Sequence, residues 1–71
     1  MKYIVMDGKS GDIFTEEFDS REDAISYADR DFEHLTASDK KHRDFYSILE
    51  SINPDEDAEN HFDGDIIKRY I

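Results

Sequence analysis

The segment FDSREDAISYADRDFEHL, residues 18–35, sets the terms for the rest of the chain. Ala24, Ile25, Ala28, Phe32 and Leu35 recur at helical spacing, while Glu22, Ser26, Asp29 and Glu33 fall on the opposite side. A helix over about 20–35 therefore carries one apolar face that has to be buried. Its start is marked. Ser20 can accept from the amide of Asp23 as an N-cap, and Glu22 and Asp23 in the first turn suit the helix dipole. Phe18, just before the cap, can pack back near the first turn in the manner of a hydrophobic staple. Tyr27 flanks the apolar face. Asp31 projects between Ala24 and Leu35, where a half-buried carboxylate needs a partner that sequence does not name.

Strands are the expected cover for that face. KYIVMD is short, β-branched and aromatic, GKSGD supplies glycines for a turn, and DIFTEEF is again strand-like. Residues 2–18 read as a β-hairpin. Tyr3 and Val5 form one row of the first strand and Ile4 and Met6 the other; both rows are apolar, so this strand belongs inside the sheet. Glu16 and Glu17 place the second strand nearer an edge. FYSILESI fits two periods. Phe45, Ile48, Leu49 and Ile52 suit a helix starting near Ser38, whereas the β-branched and aromatic content favours a strand over about 45–52. Asn53-Pro54 ends either element. A turn at Asp63-Gly64 precedes a last strand over about 66–71. The fold expected is α+β, a small antiparallel sheet with one main helix on one face, in a single domain over 1–71 with an acidic loop at 53–65.

A chain of 71 residues without cysteine has neither a disulfide framework nor thiol chemistry, and a domain so small has little stability to spare. Nine aromatic residues and usable apolar periods favour folding over disorder. No apolar run approaches the ~20 residues of a membrane span. The opening MKYIVMDGKSGD meets an acid and a turn too early for a signal peptide, which leaves the cytoplasm as the expectation. Nineteen Asp and Glu against nine Lys and Arg give a net charge of −10. That balance opposes direct binding to nucleic acid and to anionic membranes, and permits attraction to a basic protein.

The stretch NPDEDAENHFDGD concentrates Asp55, Glu56, Asp57, Glu59, Asp63 and Asp65 without a Lys or Arg. Taken with EDAISYA, EHLT and KKHRDFYSILESI, it resembles a group of very short, acidic, uncharacterised bacterial proteins associated with anaerobes and with mobile or phage-like DNA. The resemblance covers most of the chain and implies a compact α+β domain in which FYSILES is a strand. It implies no activity, and no functional residue carries over.

Read as a calcium loop from Asp55, the stretch has Asn60 where glycine is needed and Ile66 where a bidentate Glu is needed. No metal site is expected there. His34, His42 and His61 lack the paired spacing of a zinc site. No nucleophile elbow and no phosphate-binding glycine loop is present, so neither an enzyme nor a cofactor is expected. The functional expectation is a non-enzymatic acidic binding module. Glu22, Asp29 and Glu33 stand along one helix face at steps of about 10 and 6 Å. With Asp55, Glu56, Asp57, Glu59, Asp63 and Asp65 they could imitate a row of phosphates and occupy a basic protein surface through charge-assisted hydrogen bonds. The alternative is a small structural or homodimeric accessory protein. It would use aromatic residues beyond the needs of the core (Tyr3, Phe14, Phe45, Tyr46, Phe62 and Tyr70) or a strand edge near Ile66–Ile71.

Overall fold

Positive φ at two successive residues closes the first hairpin. Ser10 (φ 54°) and Gly11 (φ 87°) form the loop between Lys9 and Asp12, the backbone of a two-residue turn whose twist matches the flanking strands. In the computed structural model, which describes residues 2–51 and 64–71, that hairpin joins β1 (Lys2–Lys9) to β2 (Asp12–Phe18). Then follow α1 (Arg21–His34), α2 (Ala37–Lys41), β3 (Arg43–Ser51) and β4 (Gly64–Arg69). A Cβ at residue 11 would meet nothing within 4 Å, so Gly11→Ala isolates the backbone cost of the left-handed conformation. We expect a loss of about 1 kcal/mol in urea unfolding, with the sheet intact by circular dichroism.

The sheet is antiparallel throughout, in the order β2-β1-β3-β4. The two internal strands bury both faces. Ile4 and Val5 are consecutive and both buried, as are Tyr46, Ser47, Ile48 and Leu49. This is why FYSILES is extended: as a helix it would bury one stripe, whereas pairing with β1 buries two. A single helical turn, α2, does form just ahead of the strand, with no buried residue of its own. Thr36 caps it reciprocally with Asp39, whose amide donates to Thr36 Oγ1 at 3.1 Å while its carboxylate accepts from the Thr36 amide at 3.3 Å. The third element thus runs Arg43–Ser51 rather than 45–52, and residue 52 lies outside the described residues. The last strand begins at Gly64 rather than 66 and ends at Arg69.

Helix α1 lies on the face built from the rows of Val5 and Ile48. Ser20 caps it as expected, accepting from the Asp23 amide at 3.1 Å. Phe18 packs on Tyr27, with ring centroids 5.0 Å apart. Ala24 and Ala28, both buried without exposure, let the helix backbone come close to Val5, Tyr46 and Ile48. Phe32, Tyr46 and Tyr70 close the core as a ring cluster with centroids 5.1–5.4 Å apart. On the second face Ile4 and Leu49 are buried, Met6 and Phe45 are half-buried, and Ile13 and Ile66 are exposed.

Two irregularities decide which side chains reach the helix side. The β1–β3 register shifts between Gly8, opposite Phe45, and Lys9, opposite Arg43. The extra residue, Asp44, re-aims Arg43 toward Asp7. In β4, Ile66 pairs with Leu49 and Lys68 with Ile48, so Ile67 is the extra residue. Ile67 packs against the core while Lys68 reaches α1. Among the described residues no helix is long and apolar enough to cross a membrane.

Candidate acidic binding surface

Of the described carboxylates, only Asp7, Asp19 and Asp29 take an ion pair among the described residues. Asp19 is held by Lys2, whose hydrogen bond and charge keep its carboxyl below the usual range. Asp29 accepts from Lys68 Nζ at 2.7 Å and from the Tyr70 hydroxyl, and these two bonds, Lys68 first, lower its pKa. Asp29 therefore fastens α1 to β4. Of the three helix carboxylates expected to act together, Glu22 and Glu33 are exposed and outside any ion pair among the described residues, and stand about 16 Å apart along the axis. Asp23 joins them on the exposed side of α1, and Glu16 and Glu17 on edge strand β2 are also exposed.

The segment 53–65 is partly reassigned. Gly64 and Asp65 belong to β4, where Asp65 is exposed and lies opposite Glu50. Like charges in that position repel across the strands. Asp55, Glu56, Asp57, Glu59 and Asp63, with His61 and Phe62, lie outside the described residues.

The basic run does not form a patch. Arg43 turns inward to Asp7 at 3.2 Å. Lys40 Nζ sits 4.7 Å above the Phe32 ring, and His42 Nδ1 is 2.7 Å from the Ser38 carbonyl. Lys41 stays exposed, as do Lys9, Arg21, Arg30 and Arg69, so the exposed cations are dispersed along the chain among a larger number of acids.

A cleft opens where α1 leaves the hairpin. Its volume is about 170 Å³, and it is lined by Val5, Asp7, Phe14, Glu16, Tyr27 and Asp31, with Thr15 and Tyr46 completing it. The partner that Asp31 needs is Tyr46, whose buried hydroxyl donates to it at 2.6 Å. Burial first, and the bond to Asp31 second, push the Tyr46 pKa far upward, so this group is a fixed donor. Asp7 is ion-paired with Arg43 through Oδ2, while Oδ1 is buried without a hydrogen-bond partner, as is Arg43 Nε. Burial raises the Asp7 pKa, against the pull of Arg43 and with a further push from Asp31. Tyr27 is raised by burial and by Asp31, Glu16 and Asp7.

Sequence reasoning did not assemble this cleft. Its signal was present in two places: an acid at position 7 on the otherwise apolar row of Tyr3 and Val5, and Asp31 at the helix's buried boundary. Among the described residues no group of three or more His, Cys, Asp or Glu is placed to hold a metal ion.

Comparison with protein-family models, curated proteins and solved structures finds no match.

Proposed function

We propose that this protein is a non-enzymatic binding module that receives a basic surface of a protein partner. The observation that carries the reading is the surplus of carboxylates, fourteen Asp and Glu against nine Lys and Arg among the described residues. Glu16 and Glu17 on β2 and Glu22, Asp23 and Glu33 on α1 are exposed and outside any ion pair among the described residues, in a chain of net charge −10. Arginine and lysine side chains are the natural complement, through charge-assisted hydrogen bonds. Mimicry of a phosphate backbone is the narrower form of the proposal. It needs Asp29 to exchange Lys68 and Tyr70 for a partner's cation. The resemblance to short acidic proteins of mobile DNA is in keeping with that form and assigns no residue to it.

The test compares the native chain with Glu16→Gln/Glu17→Gln/Glu22→Gln/Glu33→Gln as bait in cell lysate, at about 0.1 M and about 1 M salt, where screening lengths are roughly 10 and 3 Å. A basic partner held at low salt, released at high salt and absent from the neutralised bait is the expected result. Retention of salt-resistant partners alone, or equal retention by the neutralised bait, overturns the proposal.

A second reading, a homodimeric accessory protein, is favoured by the groove of about 480 Å³ between Met6, Phe45, Leu49 and Ile66 on the second face. Sedimentation of the native chain separates the two. A dimer insensitive to salt supports the second reading, whereas the repulsion of two copies at −10 each predicts a monomer at low salt.

A further inference from the structure

We propose that the cleft between α1 and the β1–β2 hairpin is a receptor for a single guanidinium group, the side chain of one arginine of the partner. The inference rests on the proposed function and makes it specific.

The cleft has the chemistry of an organic-cation site. Phe14 and Tyr27 stand at its mouth, 56% and 39% exposed. Among the described residues Phe14 is the most exposed of the large apolar side chains. Such faces attract a cation lying over them, and a planar guanidinium stacks on them as well. Behind the rings, the wall carries Glu16, Asp31 and Asp7. Arg43 and Lys9 are the cations acting on Asp7, and neither lines the cleft. Arg30 stands beside Tyr27 on its other side, so the lining of the cleft itself carries three carboxylates and no cation. The Tyr46 hydroxyl occupies Asp31 Oδ2, and Asp7 retains one oxygen without a donor. A guanidinium offers several N–H donors in a fixed fork, which suits carboxylates on more than one side.

Size limits the guest. At about 170 Å³ the cleft is smaller than the roughly 300–1,000 Å³ of sites for drug-sized ligands. It suits the head and distal stem of one side chain. The carboxylates do not converge as a metal site would require, which again favours a larger, delocalised cation.

The experiment is an NMR titration of the full chain with N-acetyl-arginine methylamide, and with its neutral isostere N-acetyl-citrulline methylamide as control. Shifts confined to Phe14–Glu16, Tyr27 and Asp31 with the arginine probe, and absent with the citrulline probe, are expected. The Asp7 carboxyl pKa should fall as the arginine probe binds. Glu16→Gln and Phe14→Ser, both at exposed positions, should each weaken binding, the former about tenfold, while Glu50→Gln, outside both the cleft and the acidic surface, leaves it unchanged. Equal shifts with both probes, or binding unaffected by Glu16→Gln and Phe14→Ser, overturn the assignment. Failure here with a basic partner still captured sinks the cleft and spares the acidic surface. Specific probe binding with no basic partner captured does the reverse.

Discussion

Replacing Arg43 by Met is expected to destabilise the protein by about 3 kcal/mol at neutral pH and by much less in acid. Both side chains of the Asp7–Arg43 pair are mostly buried, at 17% and 13% exposure. Removing the cation strands a carboxylate in a site that already opposes its charge. Burial has lifted the Asp7 pKa despite Arg43, and without Arg43 it rises further. A carboxyl whose folded pKa lies above the unfolded value contributes stability that is fully present below the unfolded pKa of 3.8 and is lost as pH rises through the folded value. The difference between native and Arg43→Met should therefore open as pH climbs from about 4 and level off above the variant's folded value. Asp19, Asp29 and Asp39 have lowered values. They contribute stability above their unfolded pKa that is lost in acid; Asp19 and Asp29 do so equally in both proteins and cancel, while Asp39, held down first by its bonds to Thr36, loses only the lesser pull of Arg43 in the variant. Asp7→Asn/Arg43→Met should recover most of the neutral-pH loss, because buried ion pairs are commonly replaceable as pairs. Urea unfolding of native, single and double variants across pH reads all of this. A pH-independent loss would mean that Arg43 acts through the packing of its stem.

The parts of this fold legible in sequence are those determined locally. The hairpin follows from a glycine-bearing turn between β-branched runs, although only Gly11 lies in the loop and Gly8 belongs to β1, and α1 from a cap, an acidic first turn and one apolar face. Apolar rows on both sides of β1 announced an internal strand, and Glu16 and Glu17 an edge. The third element was ambiguous because its apolar residues satisfy both periods at once. The choice is made by pairing with β1, a contact between distant parts of the chain. Thr36 with Asp39 three residues on is a capping pattern, and it marks a helix start whose single turn ends before the strand.

The site was less legible, for the same reason. Asp29 looked like a solvent-facing acid, and only the approach of Lys68, 39 residues away, turns it into a fastening between α1 and β4. Arg43 looked like part of a basic run, and only the extra residue at Asp44 turns it toward Asp7. Register irregularities of this kind leave the hydrophobic pattern almost untouched while changing which charges meet.

Gly64→Ala should be among the most damaging single substitutions in the chain, costing about 3 kcal/mol or more. In sequence Asp63-Gly64 reads as a turn, yet Gly64 is the first residue of β4, opposite Ser51. A Cβ there would stand 1.5 Å from the Glu50 carbonyl oxygen, 2.6 Å from its carbon and 3.1 Å from Ser51 Cα. All three atoms are backbone of β3, a strand held on its other side by β1, so β4 has to yield. The rungs Ser51–Gly64 and Glu50–Asp65 would open first, and with them the placement of Ile67 on the core and of Lys68 on Asp29. Gly8 makes the instructive contrast. A Cβ at residue 8 would stand 2.4 Å from the Phe45 ring, a half-buried side chain able to swing aside, so Gly8→Ala should cost nearer 1 kcal/mol. Hydrogen exchange distinguishes the two. In Gly64→Ala the amides of Ile67 and Lys68 should lose protection at denaturant concentrations where β1 and β2 keep theirs, while Gly8→Ala leaves β4 protected. A native-like urea midpoint for Gly64→Ala would show that the first rung of β4 contributes nothing, and that Asp29 with Lys68 and Tyr70 suffices to hold the strand.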